Sequence, residues 1–174
     1  MERRGARPKL RGEYLNFLRF TVTQSAAATY TQTELDTNLS AERGVMMDIH
    51  GVDFLINPQQ LSEAAANSAE TNTIQVVRES KTALVNPNDS DLIALQRYSW
   101  SRSAAIGTDA GPMWWFNRDL ESLVFPLPIP YVKPSIFVGV NSTYSSAITV
   151  YGRIAYTLRD ISREEFLELL VSLQ

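Results

Sequence analysis

A period-two alternation of apolar residues near the end of the sequence is the feature that most constrains the fold. Across 147–159, alternate positions are apolar, while those between them are mostly polar or charged. Successive side chains of a β-strand point to opposite faces, whereas a helix would spread the same residues around its circumference. The apolar set is Ile148, Val150, Ile154, Tyr156 and Leu158, with Gly152 in the middle. The run therefore predicts a strand with one buried face.

The same alternation predicts further strands at 17–23, 45–56 and 135–140. Only the short polar loop 141–146 separates the run at 135–140 from the run at 147–159. Because two such runs joined by a short loop are typical of a hairpin, we expect these two strands to pair antiparallel.

Within 45–56, the apolar positions change phase at Gly51. The odd positions before it are Val45, Met47 and Ile49, and the even positions after it are Val52, Phe54 and Ile56. One extra residue at a glycine is how a β-bulge moves the apolar set to the other phase. The sequence predicts either one long strand bent at Gly51 or two short strands broken there.

The middle of the chain gives weaker signals. Short β-branched or aromatic runs predict strands at 73–79 and 91–101, whereas 114–125 fits either a strand or a helix. The alanine-rich stretch 60–70 fits a short helix or a loop. Residues 126–134 (PLPIPYVKP) contain four prolines, which exclude a central strand or a helix interior. We expect an extended connector there.

The C-terminal residues 161–174 change to a helical period. Ser162 followed three residues later by Glu165 is a capping box, which marks the start of a helix. Apolar residues then recur at helical spacing, at Phe166, Leu169, Leu170 and Leu173. A helix of about eleven residues is marginal alone in water, so its apolar stripe must pack against the sheet or against another subunit.

Composition favours one folded domain with a charged N-terminal arm. The 174 residues are 44% hydrophobic and 20% charged, which is enough apolar material for a core. The first twelve residues contain five basic residues and one acidic residue, a net charge of +4, whereas the rest contain eleven basic and eighteen acidic residues. The five basic residues are Arg3, Arg4, Arg7, Lys9 and Arg11. An arm at 1–13 that binds nucleic acid is one interpretation, and a solvated terminus is the other.

Residues suited to catalysis or metal binding are scarce. There is no cysteine, and His50 is the single histidine, so a site formed with Asp48 and Asp53 would need further groups from elsewhere in the fold. No phosphate-binding glycine motif occurs, and 86–91 (NPNDSD) fits a turn better than a calcium loop. No secretory signal and no apolar run long enough to cross a membrane occur. We expect a protein that is not an enzyme and has no cofactor, metal ion or transmembrane segment.

Adjacent tryptophans are the main candidates for a binding surface. In a strand, Trp114 and Trp115 would point to opposite faces, so at most one of them could enter the same core. Aromatic residues on an outer face are enriched at protein interfaces. A carbohydrate-stacking surface that includes Trp100, or ordinary packing under a long loop, are the alternatives.

The overall arrangement resembles the single jelly-roll capsid proteins of small icosahedral viruses. It combines a basic arm, about eight strands, no enzymatic constellation and a proline-rich segment ahead of the last two strands, PLPIPYVKPSIFVGVNSTYSSAITVYGRIAYTLRDIS (126–162). The resemblance covers roughly 14–160. It implies an all-β fold, an antiparallel eight-stranded jelly-roll sandwich closed here by a short C-terminal α-helix.

The same resemblance implies a structural subunit that assembles with itself into an icosahedral shell around the genome. Its location would be the virion, assembled in the host cell. The arm would face viral nucleic acid, and other capsid proteins are further candidate partners. The residues expected at subunit interfaces are Trp114, Trp115, Phe166, Leu169, Leu170 and Leu173. The alternative function is a β-sandwich carbohydrate-binding module that uses exposed tryptophans.

Overall fold

Nine antiparallel strands and one helix make up the described part of the chain. In this computed structural model it comprises residues 14–56, 68–102, 114–118, 122–144 and 146–172. The strands are β1 (Asn16–Thr23), β2 (Thr31–Asp36), β3 (Val45–Ile56), β4 (Ser68–Val77), β5 (Leu92–Arg102), β6 (Trp114–Arg118), β7 (Ser122–Tyr131), β8 (Ser135–Ser142) and β9 (Thr149–Asp160), and the helix is α1 (Arg163–Ser172). The prediction of a mostly β protein with a short C-terminal helix is confirmed.

The strands form two sheets. Sheet A has the order β1-β9-β3-β7, and sheet B has the order β2-β8-β4-β5-β6. Early strands pair in turn with late ones: β1 with β9, β2 with β8, β3 with β7, and β4 with β5. The chain is therefore a long two-stranded ribbon whose successive segments alternate between the sheets. The pairings β3 with β9 and β4 with β8 join its segments side by side.

The expected hairpin between 135–140 and 147–159 is wrong. Strand β8 lies in sheet B and β9 lies in sheet A, so the residues between them cross from one sheet to the other. Each strand finds its partners far away in the sequence: β8 pairs with β2 and β4, and β9 pairs with β1 and β3. Alternation identified both strands, but it carries no information about which strand lies beside which.

The predicted bulge at Gly51 is confirmed within a single strand. The register of β3 shifts between Ile49 and Gly51 against both β7 and β9. As a result, Ile49 before the shift and Val52 after it are both buried in the same core. A Cβ atom at Gly51 would lie 2.4 Å from the carbonyl oxygen of Leu123, so the neighbouring backbone leaves no room for a side chain.

The proline-rich segment forms a strand for most of its length, so the prediction of a connector is wrong for 126–131. These residues belong to β7, which ends the described strand order of sheet A. Ile129 pairs with Ile49, but the next pair joins Val124 to Gly51, so several residues of β7 bulge out of the ladder. An edge position and a bulge are the places where prolines are tolerated in a sheet, because fewer backbone N–H groups are needed there.

The principal core draws side chains from both sheets. Phe20 and Ile154 come from sheet A, and Ile74 and Val138 come from sheet B, all in one buried cluster. A second, smaller cluster joins Met46, Val132 and Phe166. Because Met46 alternates with core residues along β3, it lies on the opposite face of sheet A. Helix α1 therefore packs on the outer face of sheet A.

Three parts of the sequence were not resolved by the alternation pattern. Strand β2 (TQTELD) was not predicted, because its residues are mostly polar and no clear apolar period marks it. The region 114–125 contains β6 and the start of β7, so its strand alternative is the correct one for the described residues. Of the stretch 60–70, residues 60–67 lie outside the described part, and 68–70 begin β4.

Candidate interaction surface

Several predicted site residues lie outside the described part of the chain. These are the five basic residues of the arm, Arg3, Arg4, Arg7, Lys9 and Arg11, together with Leu173. The backbone of β6 places Trp114 opposite Arg102 and Trp115 opposite Ser101 of β5, at the end of the described order of sheet B. The directions of these two tryptophan side chains are not described. Their proposed roles stay predictions.

At the possible metal or acid–base site, His50 and Asp48 both contact other side chains of the same chain. His50 is half-buried, and its Nε2 lies 2.9 Å from Thr157 Oγ1. Asp48 accepts a hydrogen bond from Arg159 Nε at 3.3 Å. Among the described residues, no group of three or more histidine, aspartate or glutamate side chains is placed to hold a metal ion. His50 and Asp48 therefore each contact a side chain of β9.

The polar stretch at 86–91 forms a turn, as its composition predicts. The Asp89 N–H donates to the Asn86 carbonyl at 2.9 Å. Lys81 places its Nζ 2.6 Å from an Asp91 carboxylate oxygen and 3.7 Å from one of Asp89. Its hydrogen bond to Asp91 raises the pKa of Lys81. The carboxylates that a cation would need are thus paired with a lysine from the same chain.

Helix α1 begins with the predicted cap. Ser162 Oγ accepts a hydrogen bond from the Glu165 N–H at 3.1 Å, and the Ser162 carbonyl accepts one from the Phe166 N–H at 3.0 Å. The Glu165 carboxylate lies 3.5 Å from Arg159 Nη1, and this contact links the first turn of the helix to β9. Carboxylates in the first turn also interact favourably with the helix dipole.

The inner side of α1 packs against residues of its own chain. Phe166 is 3% exposed against Met46 and Val132, and Leu169 and Leu170 are partly buried in the same cluster. The sequence left two partners open for this apolar stripe, the sheet of the same chain or another subunit. Phe166 packs against sheet A of the same chain. Phe166 is therefore taken up within its own chain, whereas Leu169 and Leu170 stay partly exposed, and their interface roles stay predictions.

The outer side of α1 presents four exposed residues in one row. Glu164, Leu167, Glu168 and Val171 are spaced i, i+3, i+4 and i+7, so they lie together on the helix surface. Leu167 is 45% exposed and Val171 is 70% exposed. We call these four residues the helix face. The helical pattern of the buried stripe does not predict this face, although the spacing of Leu167 and Val171 is visible in the printed sequence.

A second exposed surface lies on the outer side of sheet A. It consists of Phe17, Arg19, Leu55, Tyr151 and Arg153, which we call the sheet A patch. The register places Arg19 opposite Arg153 and Leu55 opposite Tyr151, so β1, β9 and β3 bring them together. Phe17, Leu55 and Tyr151 are all more than 40% exposed. With Asp53 beside them, the last four residues of the patch line a depression of about 500 Å³.

The sheet A patch contains two guanidinium groups, those of Arg19 and Arg153, and the carboxylate of Asp53 pairs with the second of them. Arg153 donates from Nε to Asp53 Oδ2 at 2.6 Å, and its Cζ lies 4.5 Å from the centroid of the Phe17 ring. Asp53 therefore neutralises Arg153, and the aromatic ring adds a cation–π contact. Arg19 is exposed and has no carboxylate partner within the described residues. The patch combines apolar surface with a net positive charge.

Sheet B has a different outer surface, because the chain itself covers part of it. The Gln75 side chain donates to Tyr30 Oη at 2.9 Å and to the Ala83 carbonyl at 3.1 Å, and it accepts from the Val85 N–H at 2.8 Å. Burial raises the pKa of the Tyr30 hydroxyl. The loop around Ala83 thus closes over sheet B, whereas the sheet A patch stays open.

Comparison with known proteins adds no assignment: no protein-family model matches this chain, and a search of curated proteins finds no match. Within the described residues, α1 is far too short and polar to cross a membrane, and no other helix is present that would do so.

Proposed function

We propose that this chain is a structural protein, a viral capsid subunit that assembles with itself into an icosahedral shell around the genome. The protein would then be found in the virion and be assembled in the host cell. The observation that carries this proposal is the strand order. Without β6, the remaining eight strands, renumbered along the chain, have the orders 1-8-3-6 and 2-7-4-5. A ribbon of two antiparallel halves rolled into two facing four-stranded sheets would produce this order, so the order supports the jelly roll that we propose.

The fold alone leaves several functions open, because jelly rolls also occur in lectins and in cupin enzymes. The surface favours a structural role. Exposed apolar residues gather on the outer face of sheet A and on the helix face, where a shell subunit needs contacts with neighbouring copies. The described residues also hold no cluster of metal-binding side chains, which a cupin enzyme would need.

Assembly is tested by size-exclusion chromatography of the purified full chain, followed by negative-stain electron microscopy across a range of salt concentration and pH. We expect closed particles of uniform diameter under some of these conditions. A protein that stays monomeric under all of them refutes the proposal.

The basic arm is proposed to face the packaged nucleic acid. If all five basic residues contact phosphates, the logarithm of the affinity should fall with the logarithm of salt concentration with a slope of roughly −3.5 for single strands. Deletion of 1–13 should remove most of this dependence while the far-UV circular dichroism spectrum of the fold is retained. Equal salt-dependent binding by the truncated protein would refute the role of the arm without refuting shell assembly.

A carbohydrate-binding module is the second candidate, and one register observation favours it. The pairing of β5 with β6 places Trp100 opposite Phe116 near the end of sheet B, so aromatic positions meet on adjacent strands. Aromatic rings are common stacking surfaces for sugars. A saturable change in tryptophan fluorescence with a glycan panel, from a protein that remains monomeric, would support this function over the capsid subunit.

A further inference from the structure

We infer that two copies of this chain associate through the outer faces of their A sheets, with the helix face of each copy packed on the sheet A patch of the other. The inference deepens the proposed self-assembly and rests on it for the identity of the partner, a second copy. It specifies which of the exposed surfaces forms one contact, and how.

The first support is chemical complementarity. The helix face offers two carboxylates, Glu164 and Glu168, beside two aliphatic side chains. Unlike Glu165, which has Arg159, neither of these glutamates has a cation partner within the described residues. The sheet A patch offers apolar side chains beside Arg19, for which the described part of the chain supplies no carboxylate partner. Each surface therefore carries the charge that the other lacks, next to apolar area that water still covers.

The second support is position. Both surfaces lie on the outer face of sheet A, displaced from each other along the strands. The helix covers the end where Met46 pairs with Arg159, while the patch is centred on Arg153. These two positions of β9 are six residues apart, or about 20 Å at ~3.3 Å per residue. A twofold axis that is parallel to the sheet and perpendicularly bisects the line joining the two surfaces exchanges them, so it brings each helix over the partner's patch.

The third support is thickness. A helix lying on a sheet raises one end of the face by roughly 10 Å, the diameter of a helix with its side chains. Two such faces meeting flat would leave a gap of that height over each patch. In the twofold arrangement, the helix of each copy fills the gap over the other copy's patch. The contact is then made twice and closes on itself, as twofold interfaces do.

A charge-reversal pair tests the contact. Analytical ultracentrifugation of the full chain would compare the wild type with Arg19→Glu, Glu168→Arg and the double variant. Because the twofold contact contains each ion pair twice, and each charge reversal replaces an attraction with a repulsion, each single variant should weaken dimerisation about tenfold. The double variant should return the dissociation constant to within about threefold of the wild type.

Arg97→Glu provides the matched control. Arg97 is an exposed arginine on β5 of sheet B, so the same charge change occurs away from the proposed contact. This variant should dimerise like the wild type. Arg19 and Glu168 are also exposed, and a wild-type circular dichroism spectrum would show that the substitutions leave the fold intact. Should Arg19→Glu fail to fold, Arg19→Gln removes only the charge and tests the same pair.

The outcomes separate this contact from the proposed function. If the wild type self-associates but both single variants behave like Arg97→Glu, the contact is overturned and assembly through another surface remains. Weakening by both single variants without recovery in the double variant also overturns the pairing of Arg19 with Glu168. A wild type that is monomeric at every concentration, salt and pH overturns both the contact and the proposed shell. Binding of a small glycan or anion in the depression by such a monomer would assign the patch to a ligand instead.

Discussion

Replacing Phe166 with alanine should release helix α1 from sheet A while the two sheets stay folded. Phe166 is 3% exposed and is the one fully buried side chain of the helix, packed against Met46 and Val132. Truncation of a buried phenylalanine typically costs about 3–5 kcal/mol. The lower end applies here because the cluster is small, and because alanine favours a helix by about 0.5 kcal/mol over phenylalanine. We therefore expect a loss of about 3 kcal/mol in the docking free energy of the helix.

A ten-residue helix is marginal in water, so a loss of this size should undock it. Hydrogen exchange measured by mass spectrometry over 163–172 reports that opening directly, and about 3 kcal/mol corresponds to exchange roughly 100-fold faster. Protection in the sheet strands should change little. Arg163→Ala is the matched control on the same helix: because Arg163 is exposed and lies outside the helix face, we expect a change below about 0.5 kcal/mol. Unchanged protection of the helix in Phe166→Ala would show that Phe166 does not hold it.

Three further predictions concern the sheets. Gly152→Ala should destabilise the fold by about 1–3 kcal/mol in urea unfolding. The reason is that the new Cβ would lie 2.2 Å from a Phe20 ring atom and 2.5 Å from the Asp53 carbonyl oxygen. A variant as stable as the wild type would contradict this close approach. Burial raises the pKa of Tyr131 above its ordinary value of 10.0, so the stability that this neutral hydroxyl contributes is present below pH 10 and is lost as the pH rises above it. Tyr131→Phe should therefore flatten the fall of Tm above pH 10, and an unchanged profile would contradict this assignment. Asn72→Leu should stabilise the protein by about 1–3 kcal/mol, measured by the same urea unfolding.

The strands that the sequence predicts best are those with a single buried face. The run at 45–56 matches β3 residue for residue, and the phase change at Gly51 located the bulge. These features are local, because a dozen consecutive residues contain both the alternation of the strand and the change of its phase at the glycine. The partners of each strand are not local: β1 pairs with β9, more than 120 residues away. Alternation shows which side of a strand is buried, and it leaves open which sheet the strand joins.

The candidate surface was predicted only in part, for the same reason. The helix and its Ser162 cap follow from a short motif, and the cap forms as expected. The sheet A patch takes its residues from three strands, and no spacing along the chain connects Arg19 with Leu55 or Tyr151. Only the register of β9 with β1 and β3 brings these side chains together. The helix face follows from no such motif: Leu167 and Val171 lie outside the buried stripe, and the burial of Phe166 on the opposite side shows that they face outward.

The stability of Asn72→Leu shows whether the principal core is dry or holds buried water beside Asn72. Asn72 has the same parity along β4 as the core residue Ile74, is completely buried, and has no hydrogen-bond partner for either amide atom within the described part of the protein. Gln96 of β5, paired with Ile74, is 1% exposed and leaves its Nε2 unpaired in the same way. Leaving such groups unsatisfied costs about 1–3 kcal/mol each, so a dry interior predicts that leucine at position 72 stabilises the fold. If Asn72→Leu instead destabilises it by more than about 1 kcal/mol, the amide must be satisfied by buried water, because removing a water-bonded polar group forfeits those bonds. Gln96→Leu should then shift stability in the same direction, since both amides lie on the inner side of sheet B, and opposite signs at the two positions would refute a shared polar site.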